Sequence, residues 1–355
     1  MKKKTKIYFI GRKQGVGLRR YRLSHLENRR KFETEGLKNA HKKIKQVRLI
    51  QNADVVWVRV RPEFTKDKER DIIESRLKKI RQTIPIINDI LVFDNYDCKD
   101  ITFDLWDKNG VNCPNYVIFE PKEVEQNLNK RLDDLSNFIK KYKKIFLRTN
   151  NETASLGISI LTSQSTKNEI QNALVSLVKR CKIHQVERKS TRIMAVEFVK
   201  PQDNNGFKDL YRSHVLFEEI ISFYAVTSKK DVFHNIDMKI EDLDRFIILN
   251  EKFQKKLESL KPKIIKAAES LGCNIGAIEF FLINNEPIFI ELNPMWGGHA
   301  SKYGFGDQSM QNYLINNRID LENRIPNIYN FMDRKSYYKN LFENIHEYIS
   351  ETTKL

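Results

Sequence analysis

Two acidic residues sit inside otherwise apolar runs late in the chain: Glu279 within Gly276-Ala-Ile-Glu-Phe-Phe-Leu-Ile283, and Glu291 within Pro287-Ile-Phe-Ile-Glu-Leu-Asn-Pro294. Short runs rich in aromatic and β-branched residues read as strands, and Asn284-Asn285-Glu286 between them is turn chemistry, so the two runs form a hairpin. Side chains alternate along a strand, which places Asn293 on the same face as Glu291. A carboxylate turned toward a core has to be paired or bound to a metal. Glu279, Glu291 and Asn293 can then converge as three oxygen ligands, the donor set of a hard divalent ion such as magnesium, which completes its octahedron with phosphate and water.

The elements that would hold such a site follow from periodicity. Lys6 to Ile10, Asp54 to Val60 and Ile84 to Ile87 read as strands, with helical stretches near Arg19 to Lys45 and Glu69 to Gln82 between them. That alternation predicts an open, largely parallel sheet. Gly11, Gly15 and Gly17 follow the first strand without the third glycine of a dinucleotide fingerprint, so they read as a tight strand-to-helix turn. Lys99 to Lys108 reads as a short helix ending at Gly110, followed by a strand at Tyr116 to Phe119. The pattern then becomes hairpin-like: strands at Ile145 to Arg148 and Ile158 to Thr162, a helix about Asn168 to Cys181, strands near Ile193 to Val199 and Val215 to Ala225, and a long amphipathic helix from about Leu243 to Leu271. Beyond Asp320 a helical tail is expected.

Composition bounds the rest. A chain of 355 residues, 40% of them apolar, can bury more than one core. Cys98, Cys113, Cys181 and Cys273 form no CxxC pair and have no histidine at zinc-ligand spacing, so a reducing, cytoplasmic setting fits and a disulfide framework does not. No apolar run is long enough to span a bilayer. The formal charge of +17 is concentrated at the start: Met1 to Arg48 holds 17 lysines and arginines against three glutamates, a net +14. Such a patch serves either as a solvated basic face or as a seat for a polyanion, and no nucleic-acid motif accompanies it.

An acid on one strand followed by Glu-x-Asn on the next resembles the metal signature of the ATP-grasp superfamily, for which Glu291-Leu-Asn-Pro is a usual spelling. Other pieces stand in the same order. Cys98-Lys99-Asp100 ahead of Gly110-Val-Asn-Cys-Pro114 resembles the start of that fold, casting Lys99 as a phosphate contact. Phe146-Leu-Arg148-Thr-Asn-Asn-Glu152-Thr-Ala-Ser155-Leu-Gly157 is similar to the phosphate-covering loop of D-alanine:D-alanine ligases. There Arg148 replaces the usual lysine, and Ser155 would lie over the phosphates. Glu197-Phe198-Val199 resembles the hinge that hydrogen-bonds adenine, Arg212 the arginine facing the phosphates, and Asp231-Val-Phe-His-Asn235 an acid-Phe-x-x-Asn turn of ligases acting on peptide and protein ends. Many amino-acid ligases carry arginine two residues before the first metal acid; here Ala277 stands in that place. Gly297, Gly298 and His299 fall where the family binds the acyl substrate.

The resemblance implies α/β and α+β architecture: a Rossmann-like pre-ATP-grasp domain over residues 1–95, an ATP-grasp domain of two α+β subdomains clasping ATP over 96–318, and a helical tail over 319–355. It further implies ATP and Mg2+ as cofactors, with two ions and manganese able to substitute, and ADP-forming ligation of a small-molecule or peptide carboxylate to an amine through an acyl phosphate. Lys99, Arg148 and Arg212 would neutralise the transferred group, Arg148 and Arg212 taking part in catalysis. Two other readings stay open: phosphoryl transfer to a different acceptor on the same fold, and a polyanion-binding protein that keeps a nucleotide site. The substrates and the oligomeric state are not legible at this level.

Overall fold

The structure, a computed structural model, describes residues 4–10, 35–58, 65–152, 157–199, 201, 203–234, 237–294, 306–326, 328–329 and 333–352. The glycine turn at Gly11, Gly15 and Gly17, most of the expected helix from Arg19, and Ser155, Asn235, Gly297, Gly298 and His299 lie outside them.

Three four-stranded sheets organise the described residues. The first is parallel, in the order β2-β1-β3-β4: β1 (Thr5–Ile10), β2 (Ile44–Gln46), β3 (Val55–Val58) and β4 (Ile86–Ile87). Ile44 to Gln46 therefore forms an edge strand where the helical pattern was expected to run on to Lys45. Buried Ile7, Val55 and Trp57 point to one side of this sheet, and Val56, Val58 and Ile10 to the other, against α1 (Asp67–Lys78). Both faces being covered explains why β3 is apolar at every position, as parallel strands usually are.

The second sheet is antiparallel, β5-β8-β6-β7: β5 (Tyr116–Phe119), β6 (Lys144–Thr149), β7 (Ser159–Thr162) and β8 (Ile193–Glu197). Its outer face packs on α3 (Leu128–Tyr142) and α4 (Lys167–Gln185). The start of α4 is a capping box: Thr166 Oγ1 accepts from the Glu169 amide at 3.3 Å, and the Glu169 carboxylate accepts from the Thr166 amide at 2.7 Å.

The third sheet, β10-β9-β11-β12, is also antiparallel: β9 (Lys208–Leu216), β10 (Glu219–Ser228), β11 (Ile275–Ile283) and β12 (Glu286–Asn293). The long helix α5 (Leu243–Glu269) packs on it, and α2 (Lys99–Lys108) joins the same core through Phe103 and Trp106, the Trp106 indole donating to the Ala267 carbonyl at 2.8 Å. The single strand expected from Val215 to Ala225 is in fact the meeting of β9 and β10. The chain reverses at Phe217, whose φ is +53°.

The C-terminal helix α6 (Arg334–Thr352) packs Tyr338, Leu341, Phe342 and Ile345 against Ile7, Phe9 and Trp57 of the first sheet and against Leu216, Ile221 and Ile275 of the third. One helix thus shares a core with both sheets. Asn88, just after β4, ties them a second time. Its side-chain oxygen accepts from the Asn274 and Ile275 amides at 3.0 and 3.1 Å, and its amide nitrogen donates to the Ile275 carbonyl at 2.7 Å. Gly276 follows, pressed so close to Pro294 that an added Cβ would lie 3.2 Å from the proline Cα.

Candidate active site

The register of the third sheet sets the site. Arg212 on β9 stands opposite Glu279 on β11, and Glu279 stands opposite Glu291 on β12. Directly opposed residues of antiparallel strands share a face with their Cβ atoms about 5 Å apart. Tyr224 on β10, opposite Arg212, extends the row, and the Arg212 guanidinium lies 5.8 Å from its ring centroid. Asn293 stands opposite Ala277 in a neighbouring row that continues to His214 on β9. His214 is buried, and burial, assisted by Arg212, holds its pKa well below 6.5, so the imidazole is neutral at pH 7.

The register shifts between Glu279 and Phe280, where β12 carries Ile290 as an extra residue. A bulge of this kind breaks the alternation and re-aims side chains. Here both Ile290 and Glu291 line one cavity of about 140 Å³ between the second and third sheets. Its walls also include Lys99 from the first turn of α2, Arg148 at the end of β6, and Glu197 and Val199 at the end of β8. Phe103, Phe146, Leu210, Val232, Phe233 and Phe281 make the rest largely apolar.

Charges of both signs meet in this space. Lys99 Nζ lies 3.1 Å from Glu291 Oε2, with side-chain exposures of 14% and 28%, and Arg212 is in contact with the Glu279 carboxylate. Burial pushes Glu291 upward, but Lys99, Arg148 and Arg212 together outweigh it and hold the carboxyl below its ordinary value. Burial draws Arg148 below the usual guanidinium value while Glu291 and Glu152 oppose the shift; an arginine nevertheless stays charged at neutral pH. The cavity therefore holds largely buried cations facing two carboxylates.

Lys99 is placed by tertiary contacts, since its own amide donates to the Asn150 carbonyl at 2.9 Å. Asn150, fully buried, also donates from its side chain to Asp100 Oδ1 at 2.9 Å and to the Ser190 carbonyl at 3.0 Å, and accepts from the Arg192 amide at 2.9 Å. Glu197 accepts from the Asn115 side chain at 2.7 Å. Past it the chain turns sharply, with the Phe198 amide on the Lys144 carbonyl and the Val199 amide on the Glu197 carbonyl at 3.0 Å.

Of the residues singled out from the sequence, Lys99, Arg148, Glu197, Val199, Glu279 and Glu291 line the cavity, Arg212 reaches it through Glu279, and Asn293 sits one row away. Phe198 lies tilted beside Phe146 at 4.9 Å and beneath Lys144 Nζ at 4.2 Å. The apolar lining escapes sequence reasoning because a pocket wall and a core have the same composition. The Asp231 segment is a wall of this kind, fastened by Lys144 at 2.5 Å and Lys208 at 3.4 Å. Among the described residues no three His, Cys, Asp or Glu side chains gather to hold a metal unaided. The oxygen donors Glu279 and Glu291 nonetheless suit magnesium, which takes one or two carboxylates and fills its shell with phosphate and water. Nor is any helix among the described residues long and apolar enough to cross a membrane.

No protein-family model matches the chain, and no curated protein matches it by sequence. Solved structures do match. The D-alanine:D-alanine ligase of Coxiella burnetii superposes with a TM-score of 0.52 at 12% identity, covering 99% of this chain and 98% of that one. The D-alanyl-alanine synthetase A of Vibrio cholerae gives 0.51 at 15% identity over 84% and 90%. The Bacillus anthracis D-alanine:D-alanine ligase, complexed with ATP, gives 0.50 at 11% identity over 98% and 99%. At such identities the likeness speaks to architecture alone, and it agrees with the two antiparallel sheets closing on a charged cavity: the chain has the ATP-grasp fold.

Proposed function

We propose that the protein is an ATP-dependent ligase that joins a carboxylate to an amine through an acyl phosphate, releasing ADP and phosphate. The observation that carries this reading is the row Arg212-Glu279-Glu291 across the third sheet, facing Lys99 and Arg148 over a cavity whose remaining walls are apolar. An apolar slot with a few convergent charges is what a nucleotide needs, a flat base at one end and phosphates at the other.

On this reading Glu197, Phe198 and Val199 border the adenine, where a base nitrogen takes over the Val199 amide from the Glu197 carbonyl. Lys99, Arg148 and Arg212 hold the phosphates. Glu279, Glu291 and Asn293 would hold the magnesium, as two ions, with manganese able to substitute. Bound there, the ions would neutralise charge on the phosphates. The cations of the chain keep the terminal phosphoryl group in line with the incoming acid. A carboxylate oxygen of the substrate bonds to the γ-phosphorus as the bond to the β,γ-bridging oxygen breaks, and ADP leaves. The amine nitrogen then attacks the acyl carbon, phosphate departs with the bonding pair, and the amine loses a proton to solvent. Ser155, Gly297, Gly298 and His299 are proposed to border the phosphates and the acyl group. The acid and amine are small molecules or peptides.

The test supplies candidate acids with Mg-ATP and hydroxylamine but no amine. Hydroxamate forming together with ADP supports the reading. AMP and pyrophosphate as products, or ADP with no hydroxamate from any acid that stimulates turnover, would replace it with another phosphoryl or nucleotidyl transfer.

A further inference from the structure

Resting on that reading of the cavity, we infer that Arg180 on α4, which does not line the cavity, is a positioning residue that fixes the phosphate-facing Arg148 through Glu152. Arg148 does not project freely. Its Nε donates to the Thr149 carbonyl at 3.0 Å and its Nη2 donates to the Glu152 carbonyl, so two of its five N–H groups close the segment after β6 back onto the guanidinium. A lysine, with one nitrogen, could not make both bonds and also turn a planar fork toward an anion.

The Glu152 carbonyl is only as well placed as Glu152 itself. That side chain is 10% exposed and fully engaged: Arg180 grips both carboxylate oxygens, Nη2 to Oε1 at 2.6 Å, Thr149 Oγ1 donates to Oε2 at 2.7 Å, and His184 Nε2 lies 3.0 Å from Oε1. Forked pairs of this sort fix direction as well as distance. Gly157 is pressed against the same pair at φ +64°; a Cβ added there would lie 2.8 Å from Arg180 Nε and 3.0 Å from Glu152 Oε2. The ion pair thus holds Glu152 and lies against Gly157, where no side chain could fit. Burial pushes Glu152 upward, yet Arg180, Thr149 and His184 outweigh it and hold the carboxyl below 4.5, so the pair is intact at neutral pH. The line of action runs from Arg180 to the Glu152 carboxylate, then from the Glu152 carbonyl to Arg148.

The experiment measures binding of a non-hydrolysable ATP analogue with magnesium, and of adenosine, by calorimetry. It compares the full chain with Arg180→Ala, Arg180→Lys, Glu152→Gln and the Glu152→Gln/Arg180→Ala double variant. Arg180→Ala and Glu152→Gln should each weaken the triphosphate analogue about tenfold, the double variant no further than either, with Arg180→Lys recovering part of the loss. Adenosine, which has no phosphate to meet Arg148, should bind all of them alike. Equal loss for analogue and adenosine, additive losses in the double variant, or no loss at all would overturn the inference while leaving the nucleotide site standing. A wild-type chain that binds neither ligand would instead overturn the reading of the cavity, and this inference with it.

Discussion

Replacing Glu291 with glutamine separates a metal-binding carboxylate from a structural one, because the two roles predict opposite signs. Lys99 Nζ and Glu291 Oε2 are 3.1 Å apart. At an effective dielectric of about 20 that separation corresponds to roughly 5 kcal/mol of attraction, most of it offset by desolvation of both groups. Around Glu291 the charged neighbours are Lys99, Arg148 and Arg212, with Glu279 the other carboxylate. Neutralising Glu291 releases Lys99 and makes the site more positive by one charge. Nucleotide entering without metal then meets stronger attraction; at a separation of about 6 Å the gain is nominally near 3 kcal/mol, and screening leaves about half of it, roughly a tenfold tighter dissociation constant. With magnesium present the same variant lacks one ligand, so the tightening that metal confers should shrink by about tenfold and turnover should fall about a hundredfold, near 3 kcal/mol of transition-state stabilisation. Calorimetric titration with ADP, in excess magnesium and in chelator, reads the two affinities, and ADP release reads turnover. Weaker nucleotide binding in chelator, or an unchanged response to magnesium with normal turnover, would refute the reasoning.

The remaining expectations concern the frame around the site. Asn88→Ala removes a buried acceptor serving two amides and the donor to the Ile275 carbonyl, and forces alanine to φ +52°, so urea denaturation should show about 3 kcal/mol of lost stability. The Glu152 carboxyl is held below 4.5 in the folded chain; its stabilising contribution is present above that value and is lost as pH falls through the lower folded value. The difference in melting temperature between wild type and Glu152→Gln should therefore close as the pH falls below 4.5 and through the lower folded value. Burial pushes the thiols of Cys98, Cys113, Cys181 and Cys273 up to about 12. The thiolate fraction at pH 8 is then on the order of one in ten thousand, and a disulfide reagent should label the native protein far more slowly than the chain in guanidinium. Rapid labelling of any thiol would place that cysteine in a different environment.

What the sequence determined by itself is what depends on local chemistry. The hairpin at Asn284-Asn285 is legible because asparagine tolerates the left-handed region at both central turn positions, and both residues are there, at φ +52° and +66°. The alternation of the first strands and helices likewise predicts a parallel sheet from spacing alone. The carboxylates Glu279 and Glu291 stand out because ionised groups are rare in apolar strands. What only the tertiary structure decided depends on residues far apart in the chain. The reversal at Phe217 has no turn residue to announce it. It is held by the Asn274 carbonyl, 2.6 Å from the Phe217 amide, and by stacking of the ring on Tyr348 at 3.6 Å, so the left-handed conformation is stabilised from outside the segment. The bulge at Ile290 is equally silent, since it is a property of the pairing with β11 and not of β12. The attachment of Arg148 to Glu152 and thence to Arg180 needs α4 laid beside β6, which no local pattern encodes. Turn propensity and side-chain alternation act over a few residues and can be read along the chain; pairing register, ion-pair partners and the walls of a cavity arise where distant segments meet and exclude water.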